Sequence, residues 1–273
     1  MRRILLFSVS FIFILLACTK EDFNQDTFPT DNDMEGMIVL KDTLCENSTF
    51  RQDGFVYDKN NKTYLWAGID TSMHFDITDW ELNECNLRYG LGRETFPALL
   101  DPQYTPLKDY NIDIQPLEQC VVLFSSDYVK VYPYEIMTDY EVINERHNGH
   151  PIMIAYCVLA DLAAVYDRDY CGIELTFAVS GYTYFDRDIW EGIDAFVLWD
   201  RDTESLWFPL IDRAISGPLK GHQLEKFNNG LWEIMSWEDI KTAYPDALVL
   251  NSGQSQITPP KYPSPDPSIY TCQ

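Results

Sequence analysis

Residues 151–181 read PIMIAYCVLADLAAVYDRDYCGIELTFAVSG. Pro151 to Cys157 is an apolar run too short for a buried helix, and it directly follows Asn148-Gly149. Asn-Gly supplies the two positive φ angles of a tight hairpin turn, so Asp139 to Arg146 and Pro151 to Cys157 read as its two arms. Leu162 to Tyr166 and Ile173 to Val179 read as a second strand pair, joined across Asp167 to Gly172. This stretch sets the expectation of antiparallel β structure.

Outward from it the same alternation continues. Phe55-Val56-Tyr57 and Tyr64-Leu65-Trp66 flank a polar turn at Asp58 to Lys62, and Met37 to Leu40 reads as a first strand. Met73 to Leu91 mixes acidic and apolar residues and is read as a short helix; Asp101-Pro102 marks a turn. Val121 to Phe124 with Tyr128 to Tyr132, and Ala195 to Trp199 with Ser205 to Phe208, read as further strand pairs. One short helix is expected after Ser236, which can cap it, with Glu238 and Asp239 in the first turn and Pro245 beyond its end. Leu248 to Leu250 reads as a last strand. The fold class expected is α+β, predominantly antiparallel β with a few short helices, in a single globular domain over residues 36–253. Residues 254–273, rich in Pro and Ser, read as an extended tail.

The 273 residues, 46% hydrophobic and 14% aromatic, suffice for a substantial core. A formal net charge of −23 repels phosphates, which argues against nucleic acid as a partner. There is no Gly-rich phosphate loop and no alternation of strands with helices, so a nucleotide-binding domain is not expected.

Residues 1–17 read as a signal peptide: Arg2 and Arg3, an apolar run from Ile4 to Leu16, then Leu15-Leu16-Ala17-Cys18, which resembles a bacterial lipobox. That resemblance implies cleavage before Cys18 and acylation of its sulfur, so the expected partner is a membrane, held through the lipid on Cys18. Lys20-Glu21-Asp22 resembles the surface-export signal of Bacteroidetes lipoproteins, and residues 18–35 read as an acidic flexible tether. An outer-membrane anchor facing outward is the expectation, with the periplasmic face as the alternative. Asp42-Thr43-Leu44 fits a short O-glycosylation sequon of the same bacteria.

The order of several runs carries a second resemblance. These are Phe96 to Leu99, Tyr132-Pro133, Glu141 to Asn144, Pro151 to Cys157, Leu175 to Gly181, Asp200-Arg201, Ser205 to Trp207 and Ala214 to Gly217. Trp237, Pro245 and Val249-Leu250 complete the set. Together, over about residues 92–250, they resemble an exported prokaryotic family known as domain of unknown function 3179. Relatives read Tyr-Cys-Pro-Leu-Cys-Gly where this chain has Tyr156 to Asp161, and they carry His at the position of Tyr140. The resemblance implies a C-x-x-C pair suited to redox work or a soft metal, which this chain breaks at Ala160.

The candidate site residues are Glu141, Asn144, Cys157, Ser180 and Arg201, a carboxylate, amide, thiol, hydroxyl and guanidinium on successive strands. Against a catalytic reading, the apolar neighbours of Cys157 predict a buried, unreactive thiol or a disulfide. A bond from Cys157 to Cys171 is the expected staple, with Cys85 and Cys120 as rivals. His147 and His150 match no metal spacing and are read as solvated turn residues. Asp167 to Asp169, Asp186 to Asp188 and Asp200 to Asp202 are three D-R-D runs, read as solvated loop ends or, if they converge, as a polar-ligand pocket. Trp190, Trp199 and Trp207 lie beside them and are read as core. No metal or cofactor is expected. The favoured function is a binding or accessory module with a protein, polar small-molecule or glycan ligand. The alternative is an exported enzyme, or a metal- or redox-handling protein, centred on a degenerate site at Cys157.

Overall fold

The computed structural model describes residues 38–39, 55–170, 172–228 and 230–255. The stretches read as signal peptide, export signal and glycosylation sequon, together with Cys18, Cys171 and residues 256–273, lie outside them.

The chain opens with β1 (Ile38–Val39), β2 (Val56–Lys59), β3 (Lys62–Leu65) and β4 (Phe75–Asp76), an antiparallel sheet in sequence order. Its β2–β3 turn holds Asn60 and Asn61 at φ 53° and 60°, the left-handed pair that twists with the strands. Between residues 70 and 91 the expected helix gives way to two 3-10 turns, Thr71–Met73 and Glu84–Asn86. The side chains of Asp70 and Asn83 each accept a backbone N–H two residues on, which closes a short turn in place of a longer helix.

Next come β5 (Leu87–Tyr89), β6 (Tyr104–Pro106), β7 (Gln119–Phe124), β8 (Val129–Pro133) and the single-turn α1 (Tyr134–Met137). The hairpin of β9 (Val142–His147) and β10 (His150–Cys157) turns at Asn148-Gly149, at φ 51° and 85°. β11 (Leu162–Asp167) adds to β10 and completes a three-stranded sheet. Its free edge is bonded to residues 225–227 through Asp167 N–H to Glu225 O and Phe227 N–H to Val165 O. That edge is therefore closed to residues 173–179, which corrects the expected pairing. Those residues divide instead between a two-residue hairpin, β12 (Asp169–Tyr170) with β13 (Ile173–Glu174), and the start of β14 (Phe177–Tyr184).

β14, β15 (Ala195–Asp200), β16 (Leu206–Phe208) and β17 (Arg213–Ser216) form a five-stranded layer with β5, in the order β17-β16-β15-β14-β5. The last sheet takes β18 (Trp232–Ser236) and β19 (Leu248–Leu250) in the order β18-β7-β8-β19-β6. Its β19–β8 pairing is parallel, whereas the other ladders between described strands are antiparallel; a single parallel bridge also joins Leu99 to Ile143 of β9. α2 (Trp237–Ala243) connects β18 to β19, and Ser236 caps it by accepting the Asp239 N–H at 3.2 Å. The molecule is thus α+β, mostly antiparallel β with a few short helices.

The largest apolar cluster lies on the β14–β15–β16 layer, around Phe75, Phe177, Trp199, Trp207 and Phe208, all fully buried. Trp199 and Trp207 are core as expected, while Trp190 is exposed. A second cluster sits under β9–β10–β11 and a third under α2.

Candidate functional site

Four pieces of chain meet where the three-stranded sheet abuts the five-stranded one, and between them lies a pocket of about 440 Å³. Residues 90–96 give Leu91, Gly92 and Phe96; the turn leaving α1 gives Thr138 and Glu141. The β10–β11 turn gives Val158 and Leu159, and β14–β15 give Val179, Gly181, Tyr182, Thr183 and Phe196. Apolar groups dominate the lining, and Leu91, Val158 and Leu159 are exposed at its rim. The turn Val158-Leu159 is the interior of the sequence run that departs from C-x-x-C.

A β-bulge shapes one wall. The β14–β15 register slips between Val179 and Thr183. Ser180 Oγ donates to Val197 O at 2.6 Å and accepts the Tyr182 N–H at 3.2 Å, satisfying backbone groups that the bulge displaces. Gly181, at φ +84°, lets residues 90–92 lie directly on the strand, with Gly90 N–H donating to Gly181 O at 2.8 Å. Two ion pairs fasten that segment. Arg201 grips Glu94 with two 2.7 Å bonds, and Arg93 bonds Glu204 at 3.0 Å while stacking on Trp199.

The five candidate residues therefore separate. Glu141 lines the pocket. Cys157 lies behind it at the end of β10, where its sulfur accepts the Phe196 N–H at 3.4 Å. Ser180 supports the pocket wall. Asn144 reaches away and brackets Phe177, donating to its C=O and accepting its N–H, each at 2.8 Å, and so ties β9 to β14. Arg201 is spent on Glu94.

Cys157 is a free, buried thiol, as is Cys120, whereas Cys85 is disulfide-bonded. The expected Cys157–Cys171 staple is thus overturned: the Cys157 sulfur is turned into the core toward β15. Burial pushes its pKa up to about 11, only partly offset by the N–H groups of Phe196, Ala160 and Leu159 that face it. Glu141 is raised to about 7 by burial alone. Its φ of 57° places it in the left-handed region at the exit of α1, where its N–H bonds Met137 O at 2.8 Å, a position that suits Gly or Asn.

Two other expectations change. His147 is buried between Tyr128 and Phe227, and His150 bonds Asp167 at 2.8 Å, so only His150 is partly solvated. Within the D-R-D runs Arg168, Asp200 and Arg201 are buried, while Asp169 is exposed. Asp200 accepts from Thr203 N–H, Thr203 Oγ and Trp207 Nε1, and burial holds its pKa near 7. Arg168 donates to Ile152 O, Leu175 O, Glu145 O and Glu174. In the third run Arg187 and Asp188 are exposed and Asp186 is half-buried. The carbonyls and distant acids that pair these groups could not be seen from the local sequence.

A second cleft, of about 450 Å³, lies between Lys130, Arg146, Arg168, Glu145 and Glu174. These five charges pair with one another, while Asp101 at the same cleft is exposed: Lys130 bonds Glu145 at 2.7 Å, and Arg168 and Arg146 share Glu174. No group of three or more His, Cys, Asp or Glu placed to hold a metal occurs among the described residues.

None of the curated proteins and none of the solved structures compared matches this chain. A family model described as "Protein of unknown function (DUF3179)" matches residues 93–263, a span that includes every strand from β6 to β19 and most of the pocket lining. The chain belongs to the DUF3179 family.

Proposed function

We propose that this protein is an exported lipoprotein, anchored through Cys18 and displayed at the outer membrane, that binds a largely apolar ligand without transforming it. The observation that carries the binding reading is the pocket at the β10–β11 turn, with its apolar lining and the exposed rim of Leu91, Val158 and Leu159. Its volume falls in the range of small-molecule sites, roughly 300–1,000 Å³. A thiol pushed up to about 11 is a poor nucleophile, and Ala160 stands where relatives carry the second thiol, which favours binding over catalysis.

Titration with the apolar fluorophore 1-N-phenylnaphthylamine tests the reading. Saturable binding to the purified protein is expected. The double substitution Val158→Asp with Leu159→Asp, at exposed positions, should abolish it. Equal binding by both proteins would refute the assignment. For the anchor, Cys18→Ser should move the protein from the membrane to the soluble fraction, since acyl chains supply the membrane affinity. An unchanged membrane fraction would refute the lipobox.

A further inference from the structure

Several buried or half-buried carboxylates among the described residues have a cation, and buried Asp200, which has none, accepts three hydrogen bonds. Glu94 has Arg201, Glu145 has Lys130, Glu174 has Arg168 and Arg146, Asp194 has Arg88, Glu204 has Arg93 and Asp212 has Lys226. Glu141 differs. It lines the pocket, and its side chain makes no hydrogen bond or ion pair among the described residues. It also sits in a left-handed backbone conformation that disfavours an L side chain. Desolvation and backbone strain therefore fall on one residue with no internal compensation, and both would be relieved by Asn or Gly there.

The rest of the lining says what would compensate it. Thr138 Oγ1 donates its proton to Glu135 O at 2.7 Å, so only its lone pairs are free. The Tyr182 hydroxyl donates to Trp66 O at 2.5 Å, which commits its proton as well. Gly181 O is already taken by Gly90 N–H. Thr183 adds a hydroxyl that can turn either way. The polar groups of the lining are thus mainly acceptors, one of them the Glu141 carboxyl, set in apolar walls. A ligand carboxylate would meet repulsion there and from a molecule of net charge −23. A ligand donor carrying positive charge would meet attraction on both scales.

We propose that the pocket takes an apolar molecule ending in a protonated amine, its ammonium seated on Glu141 and its hydrocarbon body against Phe96, Val179, Phe196 and the Val158-Leu159 rim. This rests on the preceding reading of the pocket as an apolar binding site and adds the charge of the ligand.

Calorimetric titration of the purified protein at pH 8 with n-hexylamine, 1-hexanol and hexanoate separates the two claims. Hexylamine should bind at least about tenfold more tightly than hexanol, the gain typical of a desolvated charged hydrogen bond, and hexanoate least. Glu141→Gln should erase the preference for the amine and leave hexanol binding as it was. Glu141→Asn, which suits the left-handed φ, should do the same and covers the case in which the Gln variant folds poorly. Equal affinity for hexylamine and hexanol in the unaltered protein, or a preference that survives both substitutions, would overturn the inference while leaving an apolar pocket. Absence of binding by all three probes would overturn the pocket reading together with it.

Discussion

Gly92 and Gly181 meet backbone against backbone: a β-carbon on Gly181 would stand 2.1 Å from the carbonyl carbon of Gly92. No side-chain adjustment relieves that overlap, because both partners are main chain. Gly181→Ala would also place Ala at φ +84°. Overpacking and backbone strain together predict a loss of about 2–4 kcal/mol. Residues 90–92 should lift from β14, so the substitution should weaken apolar-probe binding as well. Urea denaturation and probe titration of the variant check both effects.

The Arg201–Glu94 pair holds the same segment from the other side. Both side chains are buried, and Glu94 sits at φ 54°. Arg201→Met should cost about 3–5 kcal/mol, because it strands a buried carboxylate. Replacing both partners, Arg201→Met with Glu94→Leu, should cost less than Arg201→Met alone, since no unpaired charge is left. Denaturant midpoints of the two variants measure the difference.

This pair also shows where sequence reading stops. The hairpin turns at Asn60-Asn61 and Asn148-Gly149, the Ser236 cap and the β15–β16 hairpin depend on neighbours within a few residues, and all were legible. Arg201 and Glu94 are 107 positions apart, so the D-R-D run at Asp200 to Asp202 looked like a solvated loop. Local sequence makes an isolated charge look exposed, because burying it is costly until its partner is known. The β11 edge misled for a related reason: its second neighbour is residues 225–227, a non-strand segment far along the chain. In the pocket, residue type alone points to Glu141 and Cys157. The bulge at Ser180 to Tyr182 and the left-handed φ of Glu141 have no sequence signature, and without them the apolar lining could not be assembled.

The raised carboxyl of Glu141 predicts a pH dependence of stability. A folded-state value near 7 against 4.5 for the free residue means that the native state holds this proton more tightly. The stability it contributes is therefore intact below about pH 4.5 and is lost as pH rises to and through 7. Glu141→Gln has no such loss. The variant should match the parent at pH 4.5 and exceed it at pH 8 by roughly 2 kcal/mol, allowing for the partial solvent access of the side chain. Asp200 titrates near the same pH in both proteins, so its share cancels. Chemical denaturation at the two pH values tests this, and a difference independent of pH would contradict it.

Amine affinity should follow the same group. The titratable neighbours around Glu141 are the Cys157 thiol from β10 and the Tyr182 phenol from β14, both held neutral by burial. The lining from β15 and from residues 90–96 carries no charge. Hexylamine should thus bind more tightly at pH 8 than at pH 5.5, with the midpoint near 7, and hexanol should show no such change.

Cys157 should resist alkylation in the folded protein. A thiol raised to about 11 is about one part in a thousand thiolate at pH 8, and its burial blocks reagent as well. Iodoacetamide should label Cys157 only after unfolding, with mass-spectrometric mapping to identify the site. Rapid labelling of the native protein at this residue would instead support a nucleophilic role.

The central claim is that the apolar pocket beside Glu141 receives a ligand. Isotope-filtered NMR of methyl-labelled protein saturated with n-hexylamine tests it at the level of individual side chains. The account predicts intermolecular Overhauser effects from the alkyl chain to the methyl groups of Leu91, Val158, Leu159 and Val179. Effects confined to methyl groups elsewhere, such as Leu100 beside the charged cleft or Ile234 on the exposed edge strand, would contradict it.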